Sequence, residues 1–328
     1  MHLEQIVSIL AFFCNNCKEN KIGYCYTLKG REEIELTWLD HMNHAIEYIE
    51  AHLQDKMDYE KIAQAACCSV YHFQRMFTFI TNITLSEYVR RRKMTVAAFE
   101  LQNSDIKIID LALKYGYDSP ESFTRAFQLL HGITPTSARR LGASIKAYPR
   151  ISFQITIKGD SEMNYKIVQK EAFQVYGIES IFDTKDGEHL KTVPGFWSDI
   201  QNNGGYEKLL KSANYPGSLN AVCGYRELPG TKFPYMICTL KTSLSDVTGY
   251  TVLDIPAATW AVFVNEPHTI DETSIETQKL NSRIYTDWLP TSNYELISGY
   301  EFEMYYYNII TGKYYEEAWC RVAPKLDK

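Results

Sequence analysis

The 328-residue chain lacks an apolar run of the roughly 20 residues that a membrane helix needs. Its best stretch, around Ile6 to Phe13, is shorter and has neither the basic start nor the small-residue cleavage site of a secretory signal, so no membrane is expected and the cytoplasm is the expected location. It also lacks a disulfide framework: the cysteines at 14, 17, 25, 67, 68, 223, 238 and 320 follow no regular spacing and read as reduced. Cys14, Cys17 and Cys25 could supply three zinc ligands, but no fourth follows, so no metal site is expected. There is no phosphate-binding glycine loop and no Ser/His/Asp set, so neither catalysis nor a cofactor is expected. Basic excess is missing too, since the formal net charge is −6.

That average hides an asymmetry. Residues 38–142 hold 12 acidic and 12 basic side chains, with Arg90-Arg91-Arg92-Lys93 clustered among them, whereas residues 163–328 hold 21 acidic and 15 basic ones. The second half is a poor partner for a polyanion; the first is a good one if its cations share a face. With 45% apolar and 23% charged residues the composition is globular, and the length suits two domains.

Texture divides the chain into a leader (1–37), a helical block (38–142), a connector (143–162) and a strand-rich, aromatic block (163–328). In the leader, Gly30-Arg31-Glu32-Glu33 can be encoded by a purine-rich tract of ribosome-binding character, with Leu36 a start codon shortly after. Residues 1–35 are therefore expected either to be an upstream extension of a protein that begins near Leu36 or to be a genuine tail.

The helical block contains one pattern twice. In the first copy a short helix bearing Ile62, Ala63 and Ala66 meets a turn at Cys67-Cys68, then a helix capped by Ser69 that buries Phe73 and Phe77 and turns Val70, Tyr71, Gln74 and Arg75 outward. In the second, Ile108 to Tyr115 is followed by a turn at Gly116-Tyr117-Asp118 and a helix capped by Ser119, with Pro120 at its tolerated first position and Phe123 and Phe127 inward. This is helix-turn-helix grammar in two registered copies. Gln pairs with adenine and Arg with guanine in a major groove, so Val70, Tyr71, Gln74 and Arg75 equip the first unit to read bases. Glu121, Ser122 and Arg125 stand at the front of the second; Glu121 repels phosphate, which leaves this unit the weaker reader. Between them, residues 85–101 read as one helix offering Arg90, Arg91 and Arg92 to phosphates. Should it set the readers one DNA turn apart, about 34–36 Å, a single chain spans two successive major grooves, a promoter site of about two helical turns of double-stranded DNA.

These motifs, together with Gly132-Ile133-Thr134-Pro135 and Arg139-Arg140, resemble the DNA-binding domain of the AraC/XylS family, and Tyr71 to Phe77 stands where the Mar/Sox/Rob branch has a closely similar helix. The resemblance implies an all-α double helix-turn-helix domain, a transcription regulator, usually an activator, and RNA polymerase as a partner. Cys67-Cys68 and Pro120-Glu121 depart from the family pattern.

From Tyr165 onward, short apolar runs such as 175–178, 235–238 and 260–264 read as strands of an α+β domain. Alternation in residues 300–305 puts Tyr300, Phe302 and Met304 on one face, and Glu301, Glu303 and Tyr305 on the other. A carboxylate among rings suits a small, apolar, cationic effector. Tyr165-Lys166-Ile167, Gly195-Phe196-Trp197 opening a helix, Ile255-Pro256-Ala257, Trp288-Leu289-Pro290, Glu303-Met304-Tyr305 and Glu317-Ala318-Trp319 make residues 163–324 similar to a GyrI-like effector-binding domain of the BmrR/Rob type. The resemblance implies effector contacts from Trp197, Tyr225, Trp260, Glu303 and Tyr305. The rival reading gives this domain a hydrolase or drug-sequestering activity, since some stand-alone relatives of the module resemble hydrolases that use a Glu beside aromatics.

Overall fold

A computed structural model describes residues 27–29, 32–34, 38–140, 142–154, 162–214 and 217–325. The leader cysteines and most of the expected upstream extension lie outside the described residues; within the leader, β1 (Thr27–Lys29) pairs with β2 (Glu32–Ile34).

Two helical units follow. Helices α1 (Trp38–Ala51), α2 (Tyr59–Ala65) and α3 (Val70–Thr81) make the first, α5 (Ile108–Lys114), α6 (Pro120–His131) and the short α7 (Pro135–Ala138) the second, and the long α4 (Leu85–Asn103) joins them. Their ends are written in side chains. The hydroxyls of Ser69 and Thr84 accept from the backbone amides of His72 and Glu87, and fifty residues later those of Ser119 and Thr134 accept from Ser122 and Ser137, each satisfying an orphan amide of a first turn. Asn82 and Gly132 end the paired helices in the left-handed region. The turns differ by one residue: Cys67 and Gly116 take the same place at φ 54° and 78°, after which the first copy needs one residue to reach its cap and the second needs two.

Each unit has its own core. Ile46, Ile49, Ile62, Phe73, Phe77 and Tyr88 pack in the first, and Met94, Leu101, Leu111, Phe123 and Phe127 in the second, so α4 gives its two ends to different cores. The connector is pinned along this helical frame. Asn43 brackets the Phe153 backbone with bonds of 2.8 and 2.9 Å, and the Tyr148 amide donates to Thr95.

The second half is an antiparallel sheet with helices against one face. Its strands are β3 (Tyr165–Lys170), β4 (Phe173–Asp183), β5 (Asn220–Cys223), β6 (Lys232–Leu240), β7 (Thr251–Ile255), β8 (Ala258–Val264), β9 (Tyr294–Leu296), β10 (Glu301–Asn308) and β11 (Lys313–Pro324). Their order is β3-β8-β11-β10-β5-β6-β4-β7, with β9 pairing the end of β11. Side chains of alternate parity enter different cores. Trp260, Val262, Phe302, Val222 and Met236 make one, while Ala261, Phe263, Ala318 and Cys320 face the other way, toward α10 (Thr273–Arg283) and the wider turn that continues it through Trp288. Helices α8 (His189–Asn202) and α9 (Gly205–Ser212) cover Tyr176, Ile237 and Tyr235. Gly195-Phe196-Trp197 does not open a helix: α8 begins at His189 and carries Pro194 inside.

The core of the first helical unit does not end at its own helices. It runs on into Ala261, Phe263, Leu280, Ile284 and Ala318 of the sheet domain as one apolar cluster, whereas the second unit keeps a core of helical-block and connector residues.

Candidate functional site

Helix α3 lies against the helix-covered face of the sheet where β10 meets β5, and the contact uses the side chains that α3 turns away from its own core. Tyr71, Gln74 and Arg75 are 8%, 6% and 8% exposed. Arg75 Nη1 donates to Glu301 Oε2 at 2.5 Å and to the Tyr71 hydroxyl at 2.7 Å, and Nη2 reaches Glu303 Oε1 at 3.5 Å. Cys223 Sγ lies 2.9 Å from Nη1, and the Phe79 ring sits 5.2 Å from the guanidinium carbon. Burial disfavours charge on Arg75, but Cys223, Glu301, Tyr71 and Glu303 outweigh it and hold the group firmly protonated. Glu301 answers in kind: against its own burial, Arg75 and His72 bring its carboxyl down to about 2. Around this pair, Tyr71 stacks on Phe233 at 4.3 Å, Gln74 accepts from Thr184 at 2.6 Å, and Phe79 stacks on Tyr285.

Two glycines permit the approach. A Cβ on Gly224 would stand 3.2 Å from the Tyr71 ring, and one on Gly187 would stand 2.6 Å from Thr84 Cγ2; both have φ near +70°, a region open to glycine.

Beside the contact is a cleft of roughly 530 Å³, walled by Tyr71, Arg75 and Phe79 of α3, by Trp197 and His189 of α8, by Phe233 and Tyr235 of β6, and by Glu303 and Tyr305 of β10. Glu303 Oε2 accepts from the Tyr305 hydroxyl at 2.9 Å and the Tyr235 hydroxyl at 3.2 Å, and Trp197 Nε1 donates to that same Tyr235 oxygen at 2.9 Å. Burial and the neighbouring Arg75 charge push His189 down to about 4, so it is neutral at pH 7. Deeper, beneath α10, Glu316 is 1% exposed; Thr277 donates to one of its oxygens at 2.8 Å and the other has no partner. Burial first, then the Glu303 charge, raises its carboxyl to about 8.

Several expected site residues stand elsewhere. Tyr71, Gln74 and Arg75 are not an open reading face but an interface with the sheet domain, and Val70 is buried in the apolar cluster that holds Phe73 and Phe77. Arg92 is not offered to phosphate: it makes two 2.8 Å bonds to Glu50 and a further one to the Tyr148 carbonyl. Arg90 and Arg91 pair with Glu87, the second at 2.6 Å with its guanidinium over the Tyr148 ring. In the second unit Glu121 and Arg125 are exposed, while Ser122 bonds back to the Ser119 carbonyl at 2.8 Å. Trp197, Glu303 and Tyr305 line the cleft, but Trp260 and Tyr225 belong to the core of the opposite parity, where Tyr225 donates to Glu179 at 2.5 Å. Phe233, Tyr235 and His189 escaped the sequence reading. All seven residues from Phe233 to Thr239 are buried, so β6 shows no alternation to mark which face is a cleft.

Comparison with known proteins gives each half a family. Residues 62–141 match a family model described as a helix-turn-helix domain, and residues 166–319 match one described as an integron-associated effector binding protein. The chain is 40% identical over 92 residues to the HTH-type transcriptional activator AarP of Providencia stuartii, covering 28% of this chain and 68% of AarP. It is 35% identical over 94 residues to the regulatory protein SoxS of Salmonella typhimurium, covering 29% and 88%. Among solved structures it is similar to SAV2435 bound to tetraphenylphosphonium, at 21% identity and TM-score 0.40 over 49% of this chain and 94% of that one. No helix among the described residues is long and apolar enough to cross a membrane. The chain belongs to the AraC/XylS family of transcription regulators, its AraC-type helix-turn-helix domain followed by a domain that matches an effector-binding family.

Proposed function

We propose that this regulator is a cytoplasmic, one-component activator whose cleft takes a small, apolar, cationic effector and whose two helix-turn-helix units read promoter DNA in concert with RNA polymerase. One observation carries the effector reading: the Glu303 carboxylate stands in an aromatic-walled cleft of roughly 530 Å³, within the range of about 300–1,000 Å³ of small-molecule sites, held in place by two tyrosine hydroxyls. A fixed carboxylate framed by Trp197, Tyr235 and Tyr305 attracts a cation both by charge and through ring faces. On the DNA side, Val70, Tyr71, Gln74 and Arg75 meet bases in the first groove, Ser122 and Arg125 flank Glu121 in the second, and Arg90 and Arg91 exchange Glu87 for phosphate. On this reading the chain is not an enzyme.

Selection of duplexes from a random pool by the full chain should return a motif about two turns long. Tetraphenylphosphonium should bind the wild type, and Glu303→Gln should weaken that binding about tenfold or more. Recovery of no motif sinks the DNA reading; unchanged binding in Glu303→Gln sinks the effector reading. Turnover of a bound compound by the purified chain would favour a hydrolase.

A further inference from the structure

A recognition helix enters a major groove about 12 Å wide with its outward side chains leading. In this chain those side chains already have partners: Tyr71 on Phe233 and Cys223, Gln74 on Thr184, and Arg75 on Glu301 and Glu303. A duplex and the sheet cannot hold the same face of α3 together. The contact is also built rather than incidental. The fork of Arg75 meets two carboxylates one residue-pair apart on β10, the positively charged group is desolvated, and glycine stands at both places where α3 and the start of α4 come nearest.

Resting on the reading of α3 as a base reader and of Glu303 as a cation anchor, we infer that the Glu301–Glu303 pair at the start of β10 is a guanidinium-binding site whose resident occupant is Arg75. The site keeps the first reader closed. Arg75 sits where the head of a cationic effector would sit, sharing Glu303 with it, so the effector and the helix compete for one carboxylate. Occupation by the effector frees α3 for DNA, and DNA held by α3 leaves the cleft open. The exposed second unit, with Arg125 on its surface, is free of this contact and can meet a duplex first.

Cys223 reports the state of the lock, because its thiol lies beneath Tyr71 and Arg75 and is 2% exposed. In the full chain, iodoacetamide labelling followed by peptide mass spectrometry should be slow at Cys223. It should quicken about tenfold on adding saturating tetraphenylphosphonium or the selected duplex, and by a similar factor in Glu301→Gln without either. Glu301→Gln, a change outside the DNA-binding domain, should also tighten duplex binding about tenfold. Thr184→Arg, which fills the seat of Gln74 without touching the acidic pair, should do the same. Slow labelling of Cys238, buried in the core of the opposite parity, certifies the fold in each variant. If the duplex binds with Cys223 still shielded, and both variants bind it no better than wild type, the inference fails while the DNA reading stands. If no form binds any duplex, the DNA reading fails and takes the inference with it.

Discussion

Arg75 and Glu301 are 226 positions apart in sequence and 2.5 Å apart in space, in a contact whose two charges are both shielded from water. Its pH dependence follows from the carboxylate. Glu301 in the folded chain titrates near 2, below the 4.5 of a free glutamate, because attraction to Arg75 and His72 overcomes its burial. A group whose folded-state value is depressed contributes stability that is complete above about 4.5 and is lost as pH falls toward 2. Through this carboxylate, docking of α3 should hold at neutral pH and weaken below about 4.5, and His189, lowered to about 4 by burial and by Arg75, adds to the loss in acid. Iodoacetamide reacts poorly in acid, so fluorescence of the cleft tryptophan Trp197 is the better monitor. Glu301→Gln should flatten its acid transition, and an unchanged transition in that variant would assign it to other carboxylates.

Glu316 predicts the opposite slope. Its folded-state value is raised to about 8 by burial and by the Glu303 charge, so the folded chain holds a proton that the unfolded chain has released. Stability then declines as pH rises from about 4.5 to about 8, by an amount on the order of a few kcal/mol. Glu316→Gln keeps the hydrogen bond from Thr277 and removes the ionisation. Urea melts at pH 6 and pH 8 should lie closer together in the variant than in the wild type. Equal spacing in the two proteins would mean that Glu316 is not the group responsible.

Much of this was legible in the sequence because helix-turn-helix grammar is local. Ser69 and Ser119, Phe73 and Phe77, Phe123 and Phe127 fix caps and inward faces within a dozen residues, and they stand where the periodicity puts them. The alternation of Tyr300 to Tyr305 likewise separates Glu301, Glu303 and Tyr305 from Phe302 and Met304. What periodicity could not supply was the partner of an outward face. Tyr71, Gln74 and Arg75 look identical in sequence whether they await a groove or rest on a sheet, because Glu301, Cys223 and Thr184 arrive from loops and strands more than a hundred residues away. Trp260 failed for a related reason, since an aromatic in a strand buried on both faces carries no mark of which face holds the cleft, and Tyr225, two residues past the end of β5, has no alternation to place it.

The turn of the first unit stores a small strain. Cys67 occupies at φ 54° the position that glycine fills at 116, and a side chain in the left-handed region costs roughly 1 kcal/mol. Its thiol lies 3.4 Å from His41 Nδ1. Cys67→Gly should raise the unfolding free energy by up to about 1 kcal/mol in urea melts, with DNA affinity unchanged. A loss of stability would show that the thiol contact with His41 outweighs the backbone strain.

The division of the helical block between two cores yields a prediction about cooperativity. Phe123 is fully buried in a core built from α4 to α7 and the connector, whereas Phe77 belongs to the apolar cluster that continues into the sheet domain. Truncation of either to alanine removes a buried ring and leaves a cavity, a loss of about 3–5 kcal/mol. The consequences should differ in reach. Phe123→Ala should release amide hydrogens of α5 and α6 to exchange while those of α3 and β10 stay protected, because among the described residues the second core holds none from the sheet. Phe77→Ala should loosen α3, and with it the packing of Phe79 on Tyr285 and of Tyr71 on Phe233, so protection falls on both sides of the junction. Exchange mapped by mass spectrometry separates the two patterns. A Phe123→Ala variant that loses protection uniformly across the chain would show one cooperative unit where the packing describes two.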